Sequence, residues 1–121
     1  MAADKVVVNL ATGLEDAERV TIAFLVADAA AAQGRQVAMF FTKEAVRLAL
    51  PGHADGVACD GCPPIARLFE QYQSNGGKIF VCPICFKSRK LDEEQLTTTA
   101  RLVGATPLWE WIGNSATVFS Y

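Results

Sequence analysis

Lys5-Val6-Val7-Val8-Asn9-Leu10 sets three valines side by side instead of alternating apolar with polar residues. Such a run reads as a strand buried on both faces, the kind found in parallel sheets. Thr12 with Glu15 three residues on has the form of a capping box, so a helix is expected next, running to about Gln33, where Gly34 supplies the stop. Gln36–Phe41 then reads as the second strand. Two such strands joined by a helix form the repeating unit of an α/β fold.

The same alternation continues outward. Thr42 can cap a short helix over Lys43–Leu50, ended by Pro51-Gly52. Asp55-Gly56-Val57-Ala58-Cys59 reads as a short third strand. Pro63-Pro64 then opens a helix with Ile65, Leu68, Phe69 and Tyr72 at helical spacing, closed by Asn75-Gly76-Gly77. Lys78-Ile79-Phe80-Val81-Cys82 is the clearest later strand, and Pro83 forces a turn after it. Asp92 with Gln95, and Leu91 against Leu96, predict a helix from Glu93 to near Gly104. Thr106-Pro107 opens a short helix bearing Trp109 and Ile112, before a last strand over Ala116–Tyr121. The expectation is one α/β domain over residues 1–121, a parallel sheet with right-handed crossovers and helices on both faces.

At 121 residues and 51% hydrophobic content the chain can bury a core without help from disulfides. Its 11 basic and 13 acidic residues are scattered and give a formal charge of -2, with no run of one sign to grip phosphates or lipid headgroups. Nucleic acid is not an expected partner. Met1-Ala2-Ala3-Asp4-Lys5 does not read as a secretory signal. The most apolar stretch, Val20–Ala32, is interrupted by Thr21 and Asp28 and falls short of the roughly 20 apolar residues of a membrane span. A cytoplasmic location is expected, and there four cysteines are thiols, metal ligands or redox groups more naturally than permanent staples.

Cys82 ends a strand, and in a parallel sheet sites form at the carboxyl ends of strands. A helix starting just after Pro83 would favour the thiolate at Cys82, with Lys87, Arg89 and Lys90 adding positive charge. The thiolate is the nucleophilic form of sulfur, and Cys85 stands three residues on. Cys59-Asp60-Gly61-Cys62 forms a second pair, with Cys62 at the expected N-cap of the helix that follows. Two Cys-x-x-Cys units separated by residues 63–81 also suit a four-thiolate zinc site built from Cys59, Cys62, Cys82 and Cys85. Against zinc, such pairs normally sit on tight hairpin knuckles, whereas a helix and a strand intervene here. The lone His53 lies in a Pro-Gly loop and reads as solvated. Asp28 could face solvent, make a polar contact or sit at a subunit interface, and Trp109 and Trp111 read as packing and interface groups. Thr12-Gly13 lacks the glycines of a nucleotide fingerprint.

With Phe80-Val81-Cys82-Pro83-Ile84-Cys85-Phe86-Lys87-Ser88-Arg89 in view, the chain resembles the DsrE/DsrF-like family of small sulfur-relay proteins. The likeness also takes in the Thr12-Gly13 turn, the alanine-rich first helix ended by Gly34, Pro63-Pro64 and the closing strand. The resemblance implies a five-stranded parallel sheet between helix layers and assembly into homotrimers or hexamers. It further implies a cysteine at the position of Cys82 that carries sulfur as a persulfide between donor and acceptor proteins, without a small cofactor. Cys85 could resolve that persulfide by disulfide formation, adding thiol–disulfide exchange. Two departures stand out: Lys90 follows Arg89 where many members have glycine, and a one-cysteine carrier needs none of Cys59, Cys62 and Cys85.

Overall fold

The computed structural model describes residues 4–121, so the Met1-Ala2-Ala3 part of the N-terminal reading lies outside the described residues. Five strands, β1 (Lys5–Leu10), β2 (Gln36–Phe41), β3 (Lys78–Val81), β4 (Ala100–Leu102) and β5 (Thr117–Ser120), form one sheet in the order β4-β3-β2-β1-β5. Every pairing is parallel, with Lys5 opposite Gln36, Ala38 opposite Lys78, Ile79 opposite Ala100 and Val6 opposite Thr117. The helices are α1 (Ala17–Ala32), α2 (Ile65–Ser74), α3 (Pro83–Ser88) and α4 (Ala105–Ile112).

Residues 6, 8 and 10 of β1, 37, 39 and 41 of β2 and 79 and 81 of β3 share one face and form the main core with Phe24 of α1 and Leu68 and Tyr72 of α2. The opposite face carries Val7, Ala38 and Phe80, and α4 packs on it through Trp111, which meets Phe80 edge-on at 6.0 Å. Lys5 lies over the Trp111 ring and donates to its carbonyl. The continuous apolar character of the first two strands follows from burial on both faces. Among the described residues no helix is long and apolar enough to cross a membrane.

Several elements depart from the sequence reading. The stretch 55–59 is not a strand: Gly56 has φ +76, and the Val57 carbonyl accepts from Ile65 N–H at 3.0 Å instead of a ladder partner. The fifth strand is β4, inside the segment expected to be helical. Only Glu93–Gln95 form a helical turn there, because Thr97-Thr98-Thr99 is a β-branched run with poor helix propensity. Thr97 N–H is bound to the Ala49 carbonyl at 2.9 Å. At the start of α1, Asp16 rather than Thr12 is the cap and accepts from Arg19 N–H at 3.0 Å, while Glu15 takes Gly13 N–H at 2.7 Å. Lys43–Ala49 winds as a tighter 3₁₀ segment, entered through Lys43 at φ 49 with no side-chain cap from Thr42.

Candidate functional site

At the carboxyl edge of the sheet the residue after each central strand extends the ladder by one bond. Thr42 N–H donates to the Leu10 carbonyl at 2.9 Å and Cys82 N–H to the Phe41 carbonyl at 2.9 Å. Cys82 is thereby pinned at the end of β3 next to β2. Its own carbonyl accepts Phe86 N–H at 3.0 Å and opens α3, with Pro83 in the first turn, where its missing N–H costs nothing. Phe86 is fully buried and anchors this one-and-a-half-turn helix against the core.

Cys82 and Cys85 are both free and half-buried, and the proline-led turn sets them three residues apart at the start of α3. Between them Ile84 is 80% exposed. The Cys85 carbonyl accepts from Ser88 Oγ at 3.0 Å and from Arg89 Nη1 at 3.2 Å, which fastens the end of the helix. Arg89 also donates through Nε to Glu44 at 2.6 Å, and Glu44 accepts from Arg47 Nε at 2.9 Å. The hydrogen bond from Arg89, followed by that from Arg47, holds the Glu44 carboxyl below its ordinary range. Of the three basic residues expected to add positive charge at Cys82, Arg89 is therefore spent on Glu44, while Lys87 and Lys90 are exposed.

Glu44 reaches this position through a close approach. A Cβ on Gly13 would stand 2.8 Å from the Glu44 carbonyl oxygen, so the loop after β1 and the loop after β2 touch backbone to backbone only because residue 13 is glycine. The chain Gly13, Glu44, Arg89, Cys85 thus ties together the loops that follow β1, β2 and β3. Sequence reasoning missed it. The Glu44 and Arg47 spacing marks a helical ion pair, but nothing local marks the long-range bond to Arg89.

Cys59 and Cys62 sit elsewhere, in the loop before α2, joined to each other as a disulfide with Cα atoms 5.1 Å apart. Pro64, not Cys62, is the N-cap of α2. Among the described residues no group of three or more His, Cys, Asp or Glu side chains comes together to hold a metal. His53 is exposed in the turns after Pro51. Asp28 makes the polar contact that explains its place in an apolar helix, accepting from Asn75 Nδ2 at 2.7 Å. Trp111 packs on the sheet as described, and Trp109 is 70% exposed.

Chemically, this edge offers two accessible thiols at fixed positions, one on the last rung of a strand and one on a short helix. As thiolates they attack sulfur, and their spacing also allows a bond between them.

The chain is similar in sequence to an uncharacterized protein, MJ0760, of Methanocaldococcus jannaschii, with 28% identity over 102 residues. That stretch is 84% of this chain but only 37% of the relative's length. In fold it is similar to the ychN protein from E. coli, with TM-score 0.77 at 19% identity over the whole of both chains. It is similar also to BT1422, a conserved protein of unknown function from Bacteroides thetaiotaomicron, with TM-score 0.65 at 18% identity over 98% of this chain and 95% of that one. The DsrE/DsrF-like family pattern matches residues 4–121, and with the parallel five-stranded sheet ending at Cys82 in hand, the chain belongs to the DsrE/DsrF-like family.

Proposed function

We propose that the protein is a cytoplasmic sulfur-relay component that accepts sulfur from a donor persulfide on Cys82 and hands it to an acceptor protein. Membership of the DsrE/DsrF-like family supports the relay role. The observation that carries the choice of residue is the half-exposed free thiol of Cys82 on the last rung of β3. Cys82 thiolate attacks the outer sulfur of the donor persulfide, a Cys82–S–SH bond forms, and the donor leaves as a thiolate. The acceptor's thiolate then takes the same outer sulfur and releases Cys82 as thiolate. No electrons are gained or lost overall and no small cofactor is needed. Cys85 supplies a second exit: its thiolate attacks the inner sulfur, expels hydrosulfide and leaves a Cys82–Cys85 disulfide, which a dithiol must reduce before the next cycle. Ile84, exposed between the two thiols, offers an apolar contact to a docking protein. Assembly into a homotrimer or hexamer is part of the same proposal.

Incubation with a cysteine desulfurase, L-cysteine and an intermediary carrier tests it, read by mass spectrometry of the intact chain and its peptides. The wild type gains one sulfur on Cys82, Cys85→Ser still loads, and Cys82→Ser does not. Loading on another cysteine, or none in the presence of a carrier shown to be charged, rejects Cys82 as the relay residue.

A further inference from the structure

The loop between the Lys43–Ala49 segment and α2 holds a second pair of sulfurs that the persulfide reading does not use. The turn Cys59-Asp60-Gly61-Cys62 has a backbone closure besides its sulfur bond: Cys62 N–H donates to the Cys59 carbonyl at 3.0 Å, and Gly61 sits at φ +76, open to glycine without a Cβ penalty. The disulfide therefore closes a turn that is already closed. Stabilisation by a cross-link grows with the length of loop it spans, and a separation of three residues is at the short end. Neither cysteine belongs to the hydrophobic core. The pair is half-buried, and Ala58, Asp60, Gly61 and Pro63 around it are exposed, so an approaching thiol has room.

The two sulfurs have different surroundings. Cys59 Sγ lies 3.8 Å from Oγ1 of Thr21, a buried hydroxyl on α1 that gives its own proton to the Ala17 carbonyl at 2.8 Å. A disulfide sulfur has no proton to share, but a Cys59 thiol does, and the Thr21 oxygen is placed to accept it. Cys62 Sγ lies 3.7 Å from the carbonyl oxygen of the exposed residue Asp60.

We propose that Cys59-Asp60-Gly61-Cys62 is a thiol–disulfide exchange site that trades two electrons with a protein dithiol, Cys62 being the sulfur attacked and Cys59 the sulfur released. A thiolate of the dithiol bonds to Cys62 Sγ and breaks the bond to Cys59, which leaves as thiolate, takes up a proton from solvent and keeps it as a thiol whose S–H donates a hydrogen bond to Thr21 Oγ1. The second thiol of the partner then attacks the partner's own sulfur in the mixed disulfide, and Cys62 leaves as thiolate. The chain gains two electrons as two thiols, and the partner loses two as a disulfide. The exchange uses neither Cys82 nor Cys85.

The test uses the full chain carrying Cys82→Ser and Cys85→Ser, so that every thiol counted belongs to the pair. With stoichiometric reduced thioredoxin as the probe, the expected result is loss of the bridge matched by disulfide formed on thioredoxin, two alkylatable thiols at Cys59 and Cys62, an unchanged native circular dichroism spectrum, and re-pairing on addition of oxidised glutathione. Brief exposure to reduced glutathione followed by alkylation should place glutathione on Cys62 and the alkyl group on Cys59. A bridge that opens only in denaturant, thiols that do not re-pair, or glutathione on Cys59 would each overturn the proposal.

Discussion

Tyr72 shows how one side chain can serve as both core and fastener. It is fully buried, lies edge-on to Phe24 at 6.1 Å, and donates its hydroxyl to the Lys78 carbonyl at 2.6 Å at the start of β3. Burial pushes the hydroxyl's pKa far above its usual range, so it remains a donor wherever the fold survives. Replacing it by Phe keeps the ring and strands a carbonyl, at a cost of about 1–3 kcal/mol in urea unfolding at neutral pH. Because the folded-state pKa is raised, the hydroxyl's contribution is complete below the unfolded value of about 10 and is lost as pH rises above it, since only the unfolded chain then ionises. The advantage of wild type over Tyr72→Phe should therefore shrink between pH 9 and pH 11. A gap that stays constant over that interval would contradict the burial argument.

At the scale of elements, the parts legible in the sequence were those whose signal is local. Lys5–Leu10 and Gln36–Phe41 are visible because burial on both faces makes them uniformly apolar, and α2 because Ile65, Leu68 and Tyr72 recur at helical spacing. Cys82 was legible as a strand-end residue for the same reason. β4 was not, since a three-residue edge strand with Arg101 exposed at its middle takes its conformation from pairing with β3 rather than from its own residues. The web joining the three loops at the site was equally hidden, because Glu44 and Arg89 lie 45 residues apart. That web rests on Gly13. Gly13→Ala must push the Glu44 backbone away from a Cβ that would lie 2.8 Å from its carbonyl oxygen, so it should cost about 1–3 kcal/mol in urea and slow sulfur loading of Cys82. Unchanged stability and loading would show that the two loops can part without consequence for the site.

For the molecule as a whole, the two faces of the sheet are unequally dressed, and the outer side of the better covered face is itself apolar. α1 turns Phe24, Ala27 and Ala31 inward but leaves Ile22 43% and Leu25 46% exposed. Phe119 on the edge strand β5, paired in register with the core residue Val8, is 41% exposed. Ile22 lines the same shallow pocket as Ser120 and Tyr121, so the helix stripe and the edge of β5 adjoin. An open strand edge beside an apolar stripe is a surface that water covers poorly and a second copy covers well, burying apolar area and capping the edge at once. The homotrimer or hexamer proposed above should use this surface. Light scattering should return a trimer or hexamer mass for the wild type and a monomer mass for Ile22→Lys with Leu25→Lys, while Trp109→Ser, on the opposite helix layer, leaves the mass unchanged. Loss of assembly in the first variant with an intact circular dichroism spectrum separates a broken interface from a broken fold. A wild type that stays monomeric across a wide concentration range removes the inference, and the apolar stripe would then be covered by some other partner or by none.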